Sequence, residues 1–206
     1  MPDLYADWEA WAADVTESHT TYPVLILFRS PEAWLSWTIG LLAVLDAAAM
    51  QLALSPSSAP SQARLCLRMG FTLFNRIALS MGWEVDPDPD PDGRIILAYE
   101  EFAKAVEKLA GYGFPMERTA EEAWADFRGW RVNYESSAYR LADHLTAPPA
   151  PWSGTRRHLR AGVVEPHRPP HRSPGGAVQG PSTRPSVVNP SRGRRTTRRS
   201  RRSEGL

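Results

Sequence analysis

The pattern of apolar and polar residues predicts helices, and no strand, over the first 150 residues. Residues 4–18 carry apolar side chains four, three and four positions apart, which places them on one face of a helix. This stripe consists of Leu4, Trp8, Trp11 and Val15. Apolar residues also recur at helical spacing over residues 61–82 and 99–109. In residues 61–82 they cover much of the circumference, so we expect that helix to be buried on most sides.

The most apolar segment predicts a central helix that ends near Leu54. It starts with Ser30-Pro31-Glu32, a cap, a proline and an acid that are typical of a helix N-terminus. From Leu35 onward all but four residues are apolar, a length that could span a bilayer. Asp46 opposes this alternative, because a central carboxylate costs about 2.5–3.5 kcal/mol on insertion scales. We therefore expect a helix buried within the protein, with membrane spanning as the alternative.

The remainder of this region adds a last helix and two connecting segments. Thr119-Ala120-Glu121-Glu122 has the spacing of a capping box, and the pattern that follows predicts a helix to about Leu145. Gly129 is a place where this helix could kink or break. The proline-rich Asp86–Gly93 segment predicts an exposed loop. Together the segments predict an all-α fold, a compact bundle of about five helices.

Charge divides the chain of 206 residues into two regions. Residues 1–150 contain 11 basic and 21 acidic residues, whereas residues 151–206 contain 13 arginines and two glutamates. Only seven of those last 56 residues are Leu, Ile, Val or Phe, too few to offset the entropy lost on ordering. We predict a helical domain over 1–150 and a disordered, Pro/Arg-rich tail over 151–206.

No cofactor, metal or catalytic set is predicted. The chain has one cysteine, Cys66, set among apolar residues where it is typical of a small buried side chain. His19 is a conceivable base for it, but their spacing does not indicate a catalytic pair. Glycine-rich phosphate loops and zinc-protease helices are missing from the sequence. We therefore expect a non-enzymatic protein. We also expect it in the cytoplasm, since Met1-Pro2-Asp3 does not open a signal peptide.

The alternating Asp-Pro loop raises a calcium hypothesis. Counted from Asp88, Gly93 occupies the sixth position of an EF-hand loop, but Tyr99 occupies the twelfth, where a glutamate is required. Counted from Asp90, Glu101 is twelfth but Ile95 takes the place of the glycine. A stiff, solvated spacer between helices explains the same residues.

Two regions are candidates for binding partners or anions. The stretch 126–135 combines charges, aromatics and an amide, a composition enriched in interfaces. Its candidate residues are Arg128, Trp130, Arg131 and Asn133. The alternative is a helix whose aromatics pack inward while its charges pair on the outer face.

The second candidate is the end of the tail, where arginines could neutralise phosphates of nucleic acid or an anionic membrane. These are Arg194, Arg195, Arg198 and Arg199. No aromatic residue is interleaved with them, so selectivity should be poor. The chain has only two lysines among 24 basic residues, which is consistent with GC-rich coding. Such coding can produce an arginine-rich tail that has no function.

Several longer phrases resemble the cytosolic C-terminal region of bacterial two-transmembrane, pore-loop proteins of the potassium channel family. The resemblance covers residues 6–157. Its phrases include Tyr22-Pro23-Val24-Leu25, Phe28-Arg29-Ser30-Pro31-Glu32, Leu67-Arg68-Met69-Gly70-Phe71-Thr72, Tyr99-Glu100-Glu101-Phe102 and Phe127-Arg128-Gly129-Trp130-Arg131-Val132-Asn133-Tyr134-Glu135.

The resemblance implies a regulatory or assembly domain that associates with itself or with a membrane channel moiety. The chain has no filter similar to Thr-Val-Gly-Tyr-Gly, so conduction is not implied. We expect a truncated member without a pore, which would be membrane-associated if its native form starts upstream. The alternative function is a small anion- or nucleic-acid-associated protein that acts through its tail.

Overall fold

The computed structural model describes residues 2–28 and 35–155, which form six α-helices and no strand. The helices are α1 Pro2–Thr21, α2 Trp37–Leu54, α3 Ser61–Ser80, α4 Tyr99–Gly111, α5 Ala120–Arg131 and α6 Glu135–His144. A 3₁₀ turn, Pro23–Leu27, follows α1. The predicted all-α fold is confirmed. Most of the tail for which we predict disorder, residues 156–206, lies outside the described part.

The start of the central helix differs from its prediction. Residues 29–34 lie outside the described part, but Leu35 and Ser36 are described and are not helical. Ser36 has extended backbone angles, and its hydroxyl accepts a hydrogen bond from the N–H of Ile39 at 3.5 Å. Ser36 is therefore the N-cap, and α2 begins at Trp37.

The predicted last helix is two helices, which raises the number from about five to six. The break lies at residues 132–134, after Gly129 rather than at it. The side-chain amide of Asn133 donates to the carbonyls of Gly129 at 2.9 Å and Trp130 at 3.1 Å. These bonds satisfy carbonyls that the end of α5 leaves without helical partners. The predicted capping box is confirmed, since Thr119 and Glu122 make both of its reciprocal bonds.

Helix α2 lies at the centre and packs against α3 on one side and α5 on another. It is the one helix of the described part long and apolar enough to cross a membrane, and 61% of its residues are buried in the protein. Gly70 permits a close approach to α3, because a Cβ there would lie 2.4 Å from Cδ2 of Leu45. Helix α1 packs against α3.

Aromatic rings join α4, α5 and the segment after α6. The rings of Phe102 and Phe127 stack with centroids 4.5 Å apart, and Trp152 meets Phe127 edge-on at 5.8 Å. Trp152 adopts a positive φ of 57° in a turn near the end of the described residues. This turn places the main-chain carbonyl of Trp152 in the interior, where it accepts a hydrogen bond from Arg131.

Candidate functional site

Arg131 lies at the centre of a buried cluster of charged groups and is itself fully buried. Its Nε donates to Oε1 of Glu135 at 2.9 Å, and its Nη2 donates to the hydroxyl of Tyr139 at 2.8 Å and to the carbonyl of Trp152 at 2.7 Å. Its Nη1 lies 2.5 Å from Oδ1 of Asp46, an ion pair without hydrogen-bond alignment. These residues and Tyr134 form the Arg131 junction.

The two carboxylates of the junction make further bonds. Glu135 accepts the main-chain N–H groups of Ile96 and, at 3.0 Å, Leu97. The hydroxyl of Tyr134 donates to Oδ1 of Asp46 at 2.8 Å. The junction therefore connects α2, the segment before α4, α5, α6 and the segment after α6.

The charges of the junction are unequal in number, because one guanidinium serves two carboxylates. Burial raises the pKa of the Asp46 carboxyl, and the nearby Arg131 charge only partly offsets that rise. Burial alone would lower the pKa of Arg131, but the attraction of Asp46 and the other junction groups outweighs it and the pKa rises. Arg131 is thus charged at any working pH, and Asp46 takes up protons more readily than an exposed aspartate. The Arg131 junction joins separate segments of the chain through buried hydrogen bonds and ion pairs.

The residues predicted to bind partners or anions are separated by the fold. The prediction that Arg131 lies on a binding surface is corrected. Arg131 lies in the interior, where Asp46 and Glu135 balance its charge. Arg128 is half-buried and pairs with Asp92 on the Asp-Pro loop. Trp130 and Asn133 do lie together, in a groove of about 650 Å³ between α3 and α5. The four tail arginines lie outside the described residues.

The other residues considered for catalysis or metal binding make packing contacts or local hydrogen bonds. Cys66 is buried, and burial raises the pKa of its thiol to about 11, which disfavours the nucleophilic thiolate. The ring of His19 packs against Trp37 at 6.0 Å. In the Asp-Pro loop, the carboxylate of Asp90 accepts the N–H of Asp92 at 3.0 Å. Within the described ranges, no group of three or more His, Cys, Asp or Glu side chains is placed to hold a metal ion.

A second surface was missed by the sequence reasoning and consists of α1 and α3 side by side. Helix α1 carries five acidic residues and no Lys or Arg, while α3 carries three arginines and no acid. The exposed members are Asp3, Asp7, Asp14 and Glu17 on α1, and Arg64, Arg68 and Arg76 on α3, and together we call them the α1–α3 charged face. Glu17 and Arg76 line a groove between the two helices, whereas Arg64 and Arg68 also line the groove toward α5. None of the ion pairs found among the described residues joins α1 to α3. The charge segregation is readable in the sequence, but that the helices are neighbours is not.

Comparison with known proteins finds no matching family model, no matching curated protein and no matching solved structure. The candidate sites therefore stand on their own geometry.

Proposed function

We propose that residues 1–155 form a non-enzymatic assembly module that associates with a second copy of itself through the α1–α3 charged face. The observation that carries the proposal is the segregation of opposite charges onto two adjacent helices, whose exposed charges form no ion pair with each other among the described residues. A copy of the same chain supplies the complementary pattern.

A two-fold axis would satisfy both helices at once. In such a contact, the same surface is used by both copies, so the acidic stripe of each α1 faces the basic stripe of each α3. Complementary charge sets the orientation and speeds encounter more than it adds affinity. We therefore expect a weak, salt-sensitive dimer.

The test is the oligomeric state of the full chain, measured by sedimentation velocity at about 0.1 M and about 1 M salt. The Debye screening length falls from about 10 Å at the lower salt concentration to about 3 Å at the higher one. Dimers should form at the lower salt and dissociate at the higher one. A monomer at both salts over the concentration range of the experiment would overturn the proposal.

Charge reversal identifies the surface. Replacing the four exposed acids of α1 by Lys makes both stripes basic, and replacing the three arginines of α3 by Glu makes both acidic, so each variant alone should be monomeric. An equimolar mixture of the two should again form dimers, since every contact then joins opposite charges. A matched control is Asp88→Lys with Glu107→Lys, exposed acids on other elements. Dimers that survive in either reversed variant alone would place the interface elsewhere.

The resemblance to potassium-channel-family proteins gives the proposal a wider setting. If an attached pore precedes the module in the native protein, dimer formation would favour one packing of the pore subunits and shift its open population. This part rests on the sequence phrases alone. Immunoblotting of salt-washed membranes tests it, because a product larger than 23.0 kDa is expected there and a soluble 23.0 kDa product would remove it.

A further inference from the structure

A cleft of about 400 Å³ between α2 and α4 is separate from the charged face and has the size of a small-molecule site, about 300–1,000 Å³. Its walls are mainly apolar, and small residues on α2 leave room between the helices. The apolar lining consists of Ala43, Ala47, Met50, Ala105, Leu109, Pro151 and Trp152. We call it the α2–α4 cleft.

The two lysines of the chain both line this cleft. Lys104 and Lys108 lie one helical turn apart on α4 and are exposed. Neither takes part in an ion pair found among the described residues, although Glu101 also lines the cleft. Two unpaired ammonium groups beside apolar walls favour a ligand with an anionic head and an apolar body.

Asp46 fixes the direction in which such a ligand would enter. Asp46 lines the cleft but is only 5% exposed, and its carboxylate contacts Arg131 and Tyr134. A second anion placed deep in the cleft would be repelled by it. The head group is therefore favoured at the exposed lysines and the apolar chain against α2.

We propose that the α2–α4 cleft binds a free fatty carboxylate, with its head between Lys104 and Lys108 and its chain along Ala43, Ala47 and Leu109. The ligand class follows from charge complementarity at the exposed lysines together with the apolar walls. This site goes beyond the assembly function and does not depend on it.

The probe is dodecanoate below its micelle concentration, titrated calorimetrically into the full chain. We expect saturable binding with one site per chain. Ala47 is exposed, so Ala47→Leu should keep the fold. The larger side chain fills the cleft and should weaken dodecanoate binding at least about tenfold. Lys104→Gln with Lys108→Gln should weaken it about two- to thirtyfold, the range for the loss of two exposed ion pairs.

Controls separate the cleft from general surface binding. Arg94→Gln removes an exposed charge on another segment and should leave the affinity within about twofold. Dodecyltrimethylammonium has the same chain with the opposite head charge and should bind more weakly than dodecanoate. Absence of saturable dodecanoate binding, or affinity unchanged in Ala47→Leu, would overturn the proposal. Binding to phosphatidylglycerol vesicles that requires the lysines but not the cleft would assign them to a membrane surface and also overturn it.

Discussion

The two sides of α2 are held by different means, although they are built from adjacent residues. Leu45 faces α3, where Gly70 allows its side chain against the helix backbone. The next residue, Asp46, faces α5 and enters the Arg131 junction. One side is therefore an apolar seam between long helices and the other a network of buried charges.

The difference reflects what each side has to fix in place. Helices α2 and α3, of 18 and 20 residues, present enough apolar surface to pack without polar bonds. The segments at Ile96–Leu97 and Trp152 are short and lack a helical face, so their main-chain groups are held by Glu135 and Arg131. Buried ion pairs of this kind add little net stability, but losing one partner is costly.

The largest effect should come from breaking the junction at its centre. Arg131→Met leaves Asp46 and Glu135 buried without a counter-charge and should lower the free energy of unfolding by about 3–5 kcal/mol, measured by urea denaturation. Arg128→Met removes a partly exposed pair with Asp92 and should cost about 0–1 kcal/mol. Equal losses in the two variants would show that the junction is no more important than a surface pair.

A smaller loss is expected when the apolar seam is overfilled. Gly70→Ala places a methyl group against the fully buried Leu45 and should cost about 1–3 kcal/mol. Gly111→Ala, where a Cβ meets nothing within 4 Å, should be neutral or stabilising by up to about 1 kcal/mol. Combining Gly70→Ala with Leu45→Ala tests the contact itself, since the two losses should then be less than additive. A fully additive double variant would contradict close packing at this point.

An exposed polar contact on the junction side should matter less than the junction. Thr119→Ala removes the N-cap of α5, whose hydroxyl accepts the N–H of Glu122 at 3.3 Å, and should cost about 1 kcal/mol of unfolding free energy. Thr155→Ala is an exposed control near the end of the described residues. A loss at Thr119 as large as that at Arg131 would mean that burial does not distinguish the two polar groups.

The smallest effect at any one pH should be Asp46→Asn, because Asn keeps the shape of the side chain and Glu135 still balances the charge of Arg131. The effect of this change is visible in the pH dependence of stability. Because the pKa of Asp46 is raised on folding, the folded state binds its proton more tightly than the unfolded state. Its stabilising contribution is complete below the unfolded pKa, about 4, and is lost as pH rises through the folded pKa. Wild type should therefore lose stability relative to Asp46→Asn as the pH rises above about 4, measured by urea denaturation. Parallel curves for the two proteins would show that Asp46 is not perturbed.

Local signals were enough to predict most helix positions. The capping box at Thr119 and the turn residues before Ser61 mark helix starts through contacts within a few residues, and the structure has helices there. The start at Ser30 was wrong because its favourable triplet does not determine the conformation of Leu35 and Ser36. The possible break was placed at Gly129 rather than after Arg131, because Asn133, which bonds the carbonyls at the end of α5, has no special signature in sequence.

The candidate sites were harder to predict than the helices. Arg131 looks like a surface residue in a charged stretch, and only the approach of Asp46, 85 positions earlier, makes it an interior one. The α1–α3 charged face likewise needs the packing of two helices that are separated by α2 in the chain. Long-range pairing of this kind is not encoded in any local pattern.

The sequence separation of the junction's bonds has a kinetic consequence. The bond between Leu97 and Glu135 spans 38 residues, and the one between Tyr134 and Asp46 spans 88. Such bonds close long loops and can form only after the helices that carry them have met. We expect the transition state of folding to contain helix contacts but not the junction, so that Arg131→Met speeds unfolding in stopped-flow experiments and hardly changes the folding rate. The junction would then determine how long the native state lasts rather than how quickly it is reached.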